Sequence, residues 1–172
     1  MKRILKQILN HNNALGILIG WFYKYWGRFS PFPLLLYNDT VAAFYHPLPS
    51  YREHVLVLPR EIIRQFCDLE EFGLLKQILL SVHCLCEKRF PHEKKVLLVN
   101  GGARQEIQQL HFHLIDREES NIRGTEKVEK IEFDETCLAY VKSIIEAKMR
   151  KYRGFTLCFD LYENNTITIY FS

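Results

Sequence analysis

Asn100-Gly101-Gly102-Ala103-Arg104-Gln105-Glu106-Ile107-Gln108-Gln109-Leu110-His111-Phe112-His113-Leu114-Ile115 is the stretch whose pattern decides the fold. From Gln108 onward it alternates. Leu110, Phe112 and Leu114 share one face of a strand, and Gln109, His111, His113 and Ile115 share the other, because successive side chains on a strand point to opposite sides. One face is core and the other is polar. His111 and His113 therefore project together, close enough for both rings to reach one ligand group. Immediately upstream, Asn100-Gly101-Gly102 supplies the positive φ angles of a tight loop and amides that can approach a phosphate, while Arg104 and Gln105 add side-chain donors. These residues together describe an oxyanion site.

Working outward, Val96 to Val99 is a strand leading into that loop. Before it, Asp68 and Glu71 have capping-box spacing, and Phe72, Leu75, Leu79, Val82 and Cys86 recur at helical spacing, which predicts one long amphipathic helix. Earlier still, Leu34 to Tyr37 and Thr40 to Tyr45 read as strands around Asn38-Asp39, and Glu53 to Leu58 as a third, closed by Pro59. Pro31 and Pro33 break any helix begun upstream. Residues 1–33 are thus expected to form an N-terminal helical extension, accessory to and separable from the domain at 34–172. Downstream, Asp116 to Glu132 is mostly charged and is expected to be a solvated connection. Asp134 can cap a last helix with Leu138, Val141, Ile145 and Met149 as its buried stripe, ended by Gly154. Phe155 to Leu161 and Thr166 to Phe171 then alternate around Glu163-Asn164-Asn165 as a β-hairpin. The fold class expected is α+β: an antiparallel sheet of about five strands with helices packed on it, an N-terminal helical extension and a C-terminal hairpin.

A chain of 172 residues with 48% hydrophobic residues suffices for one packed core. Its 23 Lys and Arg against 20 Asp and Glu give a net charge of +3, small and evenly enough spread that long nucleic acid is not implied as a partner. The five cysteines are odd in number and none forms a CxxC pair, so reduced thiols and a cytoplasmic location are expected. Ala14 to Trp26 is interrupted by Lys24 and is shorter than the ~20 residues that cross a bilayer. Its Trp, Tyr and Phe residues suit either an extra helix packed on the domain or peripheral contact with a membrane interface.

Asn100-Gly101-Gly102, Gln105, Ile107 and Gln109 to Ile115 resemble the signature of the histidine-triad (HIT) family, written His-φ-His-φ-His-φ-φ. Val41-Ala42-Ala43-Phe44 and His54-Val55-Leu56-Val57-Leu58-Pro59 similarly resemble the family's earlier strands. The resemblance covers residues 35–116. It implies hydrolysis or transfer at the α-phosphorus of a nucleotide, with a nucleoside phosphoramidate, an adenylylated compound or a dinucleoside polyphosphate as substrate, through a covalent nucleotidyl-histidine and with no metal or other cofactor. It assigns the nucleophile to His111, phosphate-oxygen stabilisation to His113, oxygen donors to Gln105 and Asn100, and a supporting place to His54. It also implies a homodimer. An imidazole suits the nucleophilic role because its neutral form is available near pH 7.

Three positions depart from the family pattern. Gln109 stands in place of the first histidine, giving Gln-x-His-x-His, and a glutamine cannot titrate. Glu106 stands where many members carry a hydroxyl; it can repel an anionic substrate, point outward, accept from an amine-bearing substrate or pair with Arg104. His46 stands where the family has an acid that grips the ribose. Two further readings therefore stay beside the enzyme: a non-catalytic nucleotide-binding module, and a zinc site built from His54, His111 and His113.

Overall fold

The computed structural model describes residues 13–118, 126–132, 134–162 and 166–172. Eight strands form one antiparallel sheet: β1 (Leu34–Tyr37), β2 (Val41–Tyr45), β3 (His54–Pro59), β4 (Lys95–Gly102), β5 (Phe112–Asp116), β6 (Glu126–Glu132), β7 (Gly154–Asp160) and β8 (Thr166–Phe171), in the order β1-β2-β3-β5-β4-β7-β8-β6. The α+β class expected from sequence is thus observed with a larger sheet. The C-terminal pair does not stand apart, because β7 pairs with β4 from Val96↔Asp160 to Gly102↔Gly154 and carries the sheet onward. The Glu163-Asn164-Asn165 turn lies outside the described residues.

Alternation along the strands sorts the two faces. Leu110, Phe112 and Leu114, with Val55, Val57, Leu97, Val99 and Leu157, enter the main core. On that face lie α2 (Phe72–Arg89) and α3 (Cys137–Lys148), which contribute Leu75, Ile78, Val82 and Leu85, and Leu138, Val141 and Ile145. Asp134 does start α3: its Oδ1 accepts from the amides of Thr136 and Cys137 at 2.8 and 2.9 Å. The expected capping box of α2 does not form. A short 3₁₀ turn occupies Phe66–Asp68, Asp68 accepts instead from Gln65 Nε2 at 3.1 Å, and the helix begins after Glu71 with no side-chain cap.

Within the span expected to be a solvated connection, Glu126–Glu132 is a strand, paired with β8 from Glu126↔Phe171 to Glu132↔Thr166. It sits at the sheet's edge, where charged residues are favoured because they discourage pairing with another chain.

Lys95 is almost wholly buried, with Nζ 2.8 Å from Glu53, 2.7 Å from Asp116 and in contact with Glu93. Burial pushes its ammonium down, but hydrogen bonds to Asp116, Glu53 and Glu93 outweigh that and hold it above the ordinary lysine value. Lys95→Met would leave three neighbouring carboxylates facing one another. Because these are partly exposed and can recover water, we expect a loss of about 3 kcal/mol in urea unfolding, the low end for a broken buried pair. An unchanged midpoint would show that the cluster contributes nothing net.

The other face carries α1 (Asn13–Trp26), followed by a 3₁₀ turn at Gly27–Phe29. Gly16, Gly20, Tyr23 and Gly27 recur every three or four residues and are all buried, so they form one stripe along the helix. Gly16 and Gly20 let the helix backbone lie close against Gln108 and Gln109, just before β5, and Gly27 lies against the Tyr37 ring of β1. Tyr23 stacks on Phe44 at 5.2 Å, and Ile19 and Phe22 pack with Ala42, Leu56 and Leu58.

Candidate active site

His113 on β5 lies opposite Leu56 of β3 and Leu98 of β4, on the same face as α1. His54 opens β3, and His46 follows β2, so the turn between those strands brings both rings over His113. His46 and His54 stack with centroids 4.2 Å apart, and His54 and His113 lie 5.0 Å apart. His111 lies just before β5, with its ring 5.0 Å from His113 and nearly perpendicular to it. Four histidines thus share one corner of the sheet.

The hydrogen bonds fix the tautomers. The Ser50 amide donates to His54 Nδ1 at 3.3 Å, so the His54 proton sits on Nε2, which donates to His113 Nδ1 at 2.8 Å. His113 is left with its proton on Nε2. His111 Nδ1 is 2.7 Å from the Gln109 carbonyl oxygen, which can only accept, so Nδ1 carries the proton and Nε2 presents a lone pair. His46 Nδ1 accepts from the Leu48 amide at 2.9 Å.

All four rings are held neutral. Burial, then His46 and His111, push His54 down to about 3. Burial, then His111, His54 and His46, hold His113 well below the ordinary imidazole value. Burial lowers His111 too, opposed by its bond to the Gln109 backbone and by the Glu106 carboxylate. His46 is likewise lowered by burial, with Glu106 opposing and His111 assisting.

A histidine whose folded pKa is depressed must take up a proton on unfolding below its unfolded value, so stability is full above pH 6.5 and falls as the pH drops toward the folded value. His54 alone should cost about 2 kcal/mol between pH 7 and pH 5, at about 1.4 kcal/mol per unit below the unfolded pKa. Urea midpoints across that window should fall, and less steeply in His54→Gln; equal slopes in both proteins would rule out this origin.

The remaining sequence candidates are placed differently. Gln109 is buried, donates from Nε2 to the Glu61 carbonyl at 3.0 Å, and has no partner for Oε1. A Cβ on Gly20 would fall 2.3 Å from that oxygen, and one on Gly16 2.5–2.8 Å from the Gln108 backbone. The glutamine therefore faces α1, while its backbone carbonyl holds His111. Asn100 Oδ1 accepts from Thr156 Oγ1, and Arg104 reaches Thr156 Oγ1 and Ser172 Oγ, so these two residues join a network on β7 and the chain end. Gln105 Nε2 donates to the carbonyls of Arg64 and Ile107, bracing its own loop.

Asn100 to Gly102 is the end of β4, with φ +61° at Gly102 alone among the described glycines, where a Cβ would also meet the Arg153 oxygen at 2.5 Å. The Ala103 amide is used on Arg153 at 2.8 Å. This stretch is a paired strand end, not an open loop of amides.

Among the described residues, His46, His54 and His113 could hold a metal, with one ligand atom from each lying within 4.8 Å of the others. His46 takes the place that the sequence reading gave to His111. Its stacking on His54 was not legible in sequence, although the eight-residue interval across a β2–β3 hairpin was a usable signal.

Residues 30–120 match the family model described as the HIT domain, more than half of the chain, and the chain belongs to the HIT domain family. An uncharacterized HIT-like protein of Helicobacter pylori is 33% identical over 88 residues, 49% of this chain and 84% of the relative. One from Buchnera aphidicola is 30% identical over 95 residues, 51% of this chain and 83% of its own length.

Among solved structures, a hypothetical protein from Leishmania major superposes with TM-score 0.50 at 19% identity, over 80% of this chain and 99% of that one. Yeast Ap4A phosphorylase in complex with AMP gives TM-score 0.51 at 10% identity, over 77% of this chain and 56% of that one. These two share the fold. A HIT family hydrolase from Legionella pneumophila gives TM-score 0.49 at 24% identity, over 56% and 90% of the two chains. Helix α1 lies before the matched span.

Proposed function

We propose that this chain is a nucleotide hydrolase or nucleotidyl transferase acting at the α-phosphorus of a nucleoside phosphoramidate, an adenylylated compound or a dinucleoside polyphosphate. One observation carries the proposal: His111 Nδ1 donates to the Gln109 carbonyl, which leaves Nε2 as a neutral nucleophile beside the Nε2 proton of His113. In the reaction, the His111 Nε2 lone pair forms a bond to the α-phosphorus as the bond to the leaving amine, acyl or phosphate oxygen breaks. The leaving group carries off the bonding pair and takes a proton from solvent. His113 donates to a non-bridging oxygen, oriented by His54. Water then attacks the same phosphorus and gives one proton to solvent, while the P–N bonding pair returns to Nε2, releasing the nucleoside monophosphate and restoring neutral His111.

Glu106 acquires a part in this scheme. It opposes the lowering of the His111 pKa, so its field favours positive charge on that ring, as develops when Nε2 is phosphorylated. Gln109 supports the nucleophile through its backbone, a role that does not require a titrating side chain. The variant motif Gln-x-His-x-His is in this reading compatible with turnover.

The test is incubation of the protein with adenosine 5′-phosphoramidate and with diadenosine polyphosphates, following AMP release. Release that requires His111 supports the enzyme. Nucleotide binding without release from any substrate would point to the binding module. A second reading, a metal centre, is favoured by the convergence of His46, His54 and His113. Stoichiometric zinc in the purified protein, lost in His46→Ala, would establish it.

A further inference from the structure

The two faces of α1 have opposite chemistry. Its glycine stripe lies against Gln108, Gln109 and Tyr37, whereas Leu18, Trp21, Tyr25, Trp26 and Phe29, on the helix and the turn after it, are 63%, 55%, 56%, 64% and 82% exposed. The rings of Trp21 and Tyr25 touch, with centroids 4.6 Å apart, so these two form one aromatic patch and not scattered side chains. Lys24 and Arg28 sit beside it, and Lys24 Nζ lies 5.7 Å from the Tyr25 ring.

The even spread expected from the totals does not extend to the N-terminal segment. The first 38 residues hold five Lys or Arg and no Asp or Glu, while the whole chain is only +3, so everything after them is net negative. The small total hides a basic, aromatic segment joined to a nearly balanced remainder, 18 Lys and Arg against 20 Asp and Glu.

We propose that the outer face of α1 and the Gly27–Phe29 turn dock on an anionic lipid membrane surface. Trp and Tyr rings combine an apolar body with a polar tip and settle at headgroup level, where Lys24 and Arg28 meet lipid phosphates and carboxylates. No helix among the described residues is long and apolar enough to cross a membrane, so the helix lies along the surface. At 14 residues it spans about 21 Å. A second copy of the chain is a poorer occupant. A symmetric contact through this face would bring Lys24 and Arg28 of both copies together; the helix and its turn carry no acid, and the neighbouring Asp39 is already paired with Arg60 at 3.3 Å.

Both tryptophans of the chain lie on this face, so intrinsic fluorescence reports on it directly. Full-length protein should sediment with phosphatidylcholine vesicles containing phosphatidylserine, with tryptophan emission shifted to the blue, and should release as salt is raised. On phosphatidylcholine alone it should stay in the supernatant. Lys24→Glu with Arg28→Glu should weaken partitioning by at least about tenfold while circular dichroism stays unchanged. Trp21→Ser with Leu18→Ser, also folded, should abolish it. Unshifted emission and no sedimentation on either vesicle would overturn the proposal. So would equal binding to both vesicles, or a concentration-dependent dimer in sedimentation velocity that the same variants dissociate, which would assign the face to a second copy. These readouts do not depend on catalysis, and their failure leaves the proposed function untouched.

Discussion

Replacing His111 by alanine is expected to lower AMP release from a phosphoramidate by about 10⁴-fold or more, the scale seen when a covalent nucleophile is deleted, with little change in stability. The ring is half-buried on the polar face, outside the Leu110, Phe112 and Leu114 core, so its loss opens no cavity in that core. His113→Ala should cost less, about 10²–10³-fold, because it removes one oxyanion donor and leaves the nucleophile in place. The order of the two losses is the informative part. A larger loss at His113 would shift the chemistry to that ring.

The second large effect is expected from Gly16→Ala, a single methyl group remote in sequence from His46, His54, His111 and His113. Its Cβ would lie 2.5–2.8 Å from the Gln108 backbone carbonyl carbon, oxygen and nitrogen, which cannot move aside as a flexible side chain would. Either α1 lifts or the 108–109 segment shifts, and that segment carries the carbonyl that holds the His111 proton. Overpacking of this kind costs about 1–3 kcal/mol, and a displacement of about 1 Å at a reacting group costs about 10²-fold in rate. The control is Gly73→Ala, where an added Cβ meets nothing within 4 Å and the helical site should gain up to about 1 kcal/mol. If Gly16→Ala kept full stability and activity, α1 would be separable from catalysis, as the order of motifs along the chain suggests.

That contrast shows what the sequence could and could not convey. The histidine strand was legible because a period of two places His111 and His113 together whatever surrounds them, and α2 and α3 were legible because their apolar stripes face one core. Strand β6 was not, since an edge strand filters its composition toward charge and so reads as a solvated connection. The seat of α1 was hidden for a related reason: its inner stripe is glycine, which contributes no hydrophobicity to a periodic signal. The recurrence of Gly16, Gly20 and Gly27 around Tyr23 was nonetheless present, and close approach of backbones is a standard use of glycine.

Among the site residues, the pairing of His54 with His113 follows from strand register, which sequence does not specify between β3 and β5. The Asn100-Gly101-Gly102 motif suggested an open anion loop. It is a strand end because β7, more than fifty residues downstream, returns to pair with it.

In the proposed reaction a phosphorus–nitrogen bond forms at His111 Nε2. Mixing the protein with adenosine 5′-phosphoramidate, quenching at alkaline pH, where phosphohistidine survives, and mapping peptides by mass spectrometry tests it directly. An adenylyl adduct on His111 is expected, absent in His111→Ala and longer-lived when water attack is slowed. An unmodified His111 during steady AMP release, or an adduct on His113 or His54, would contradict it.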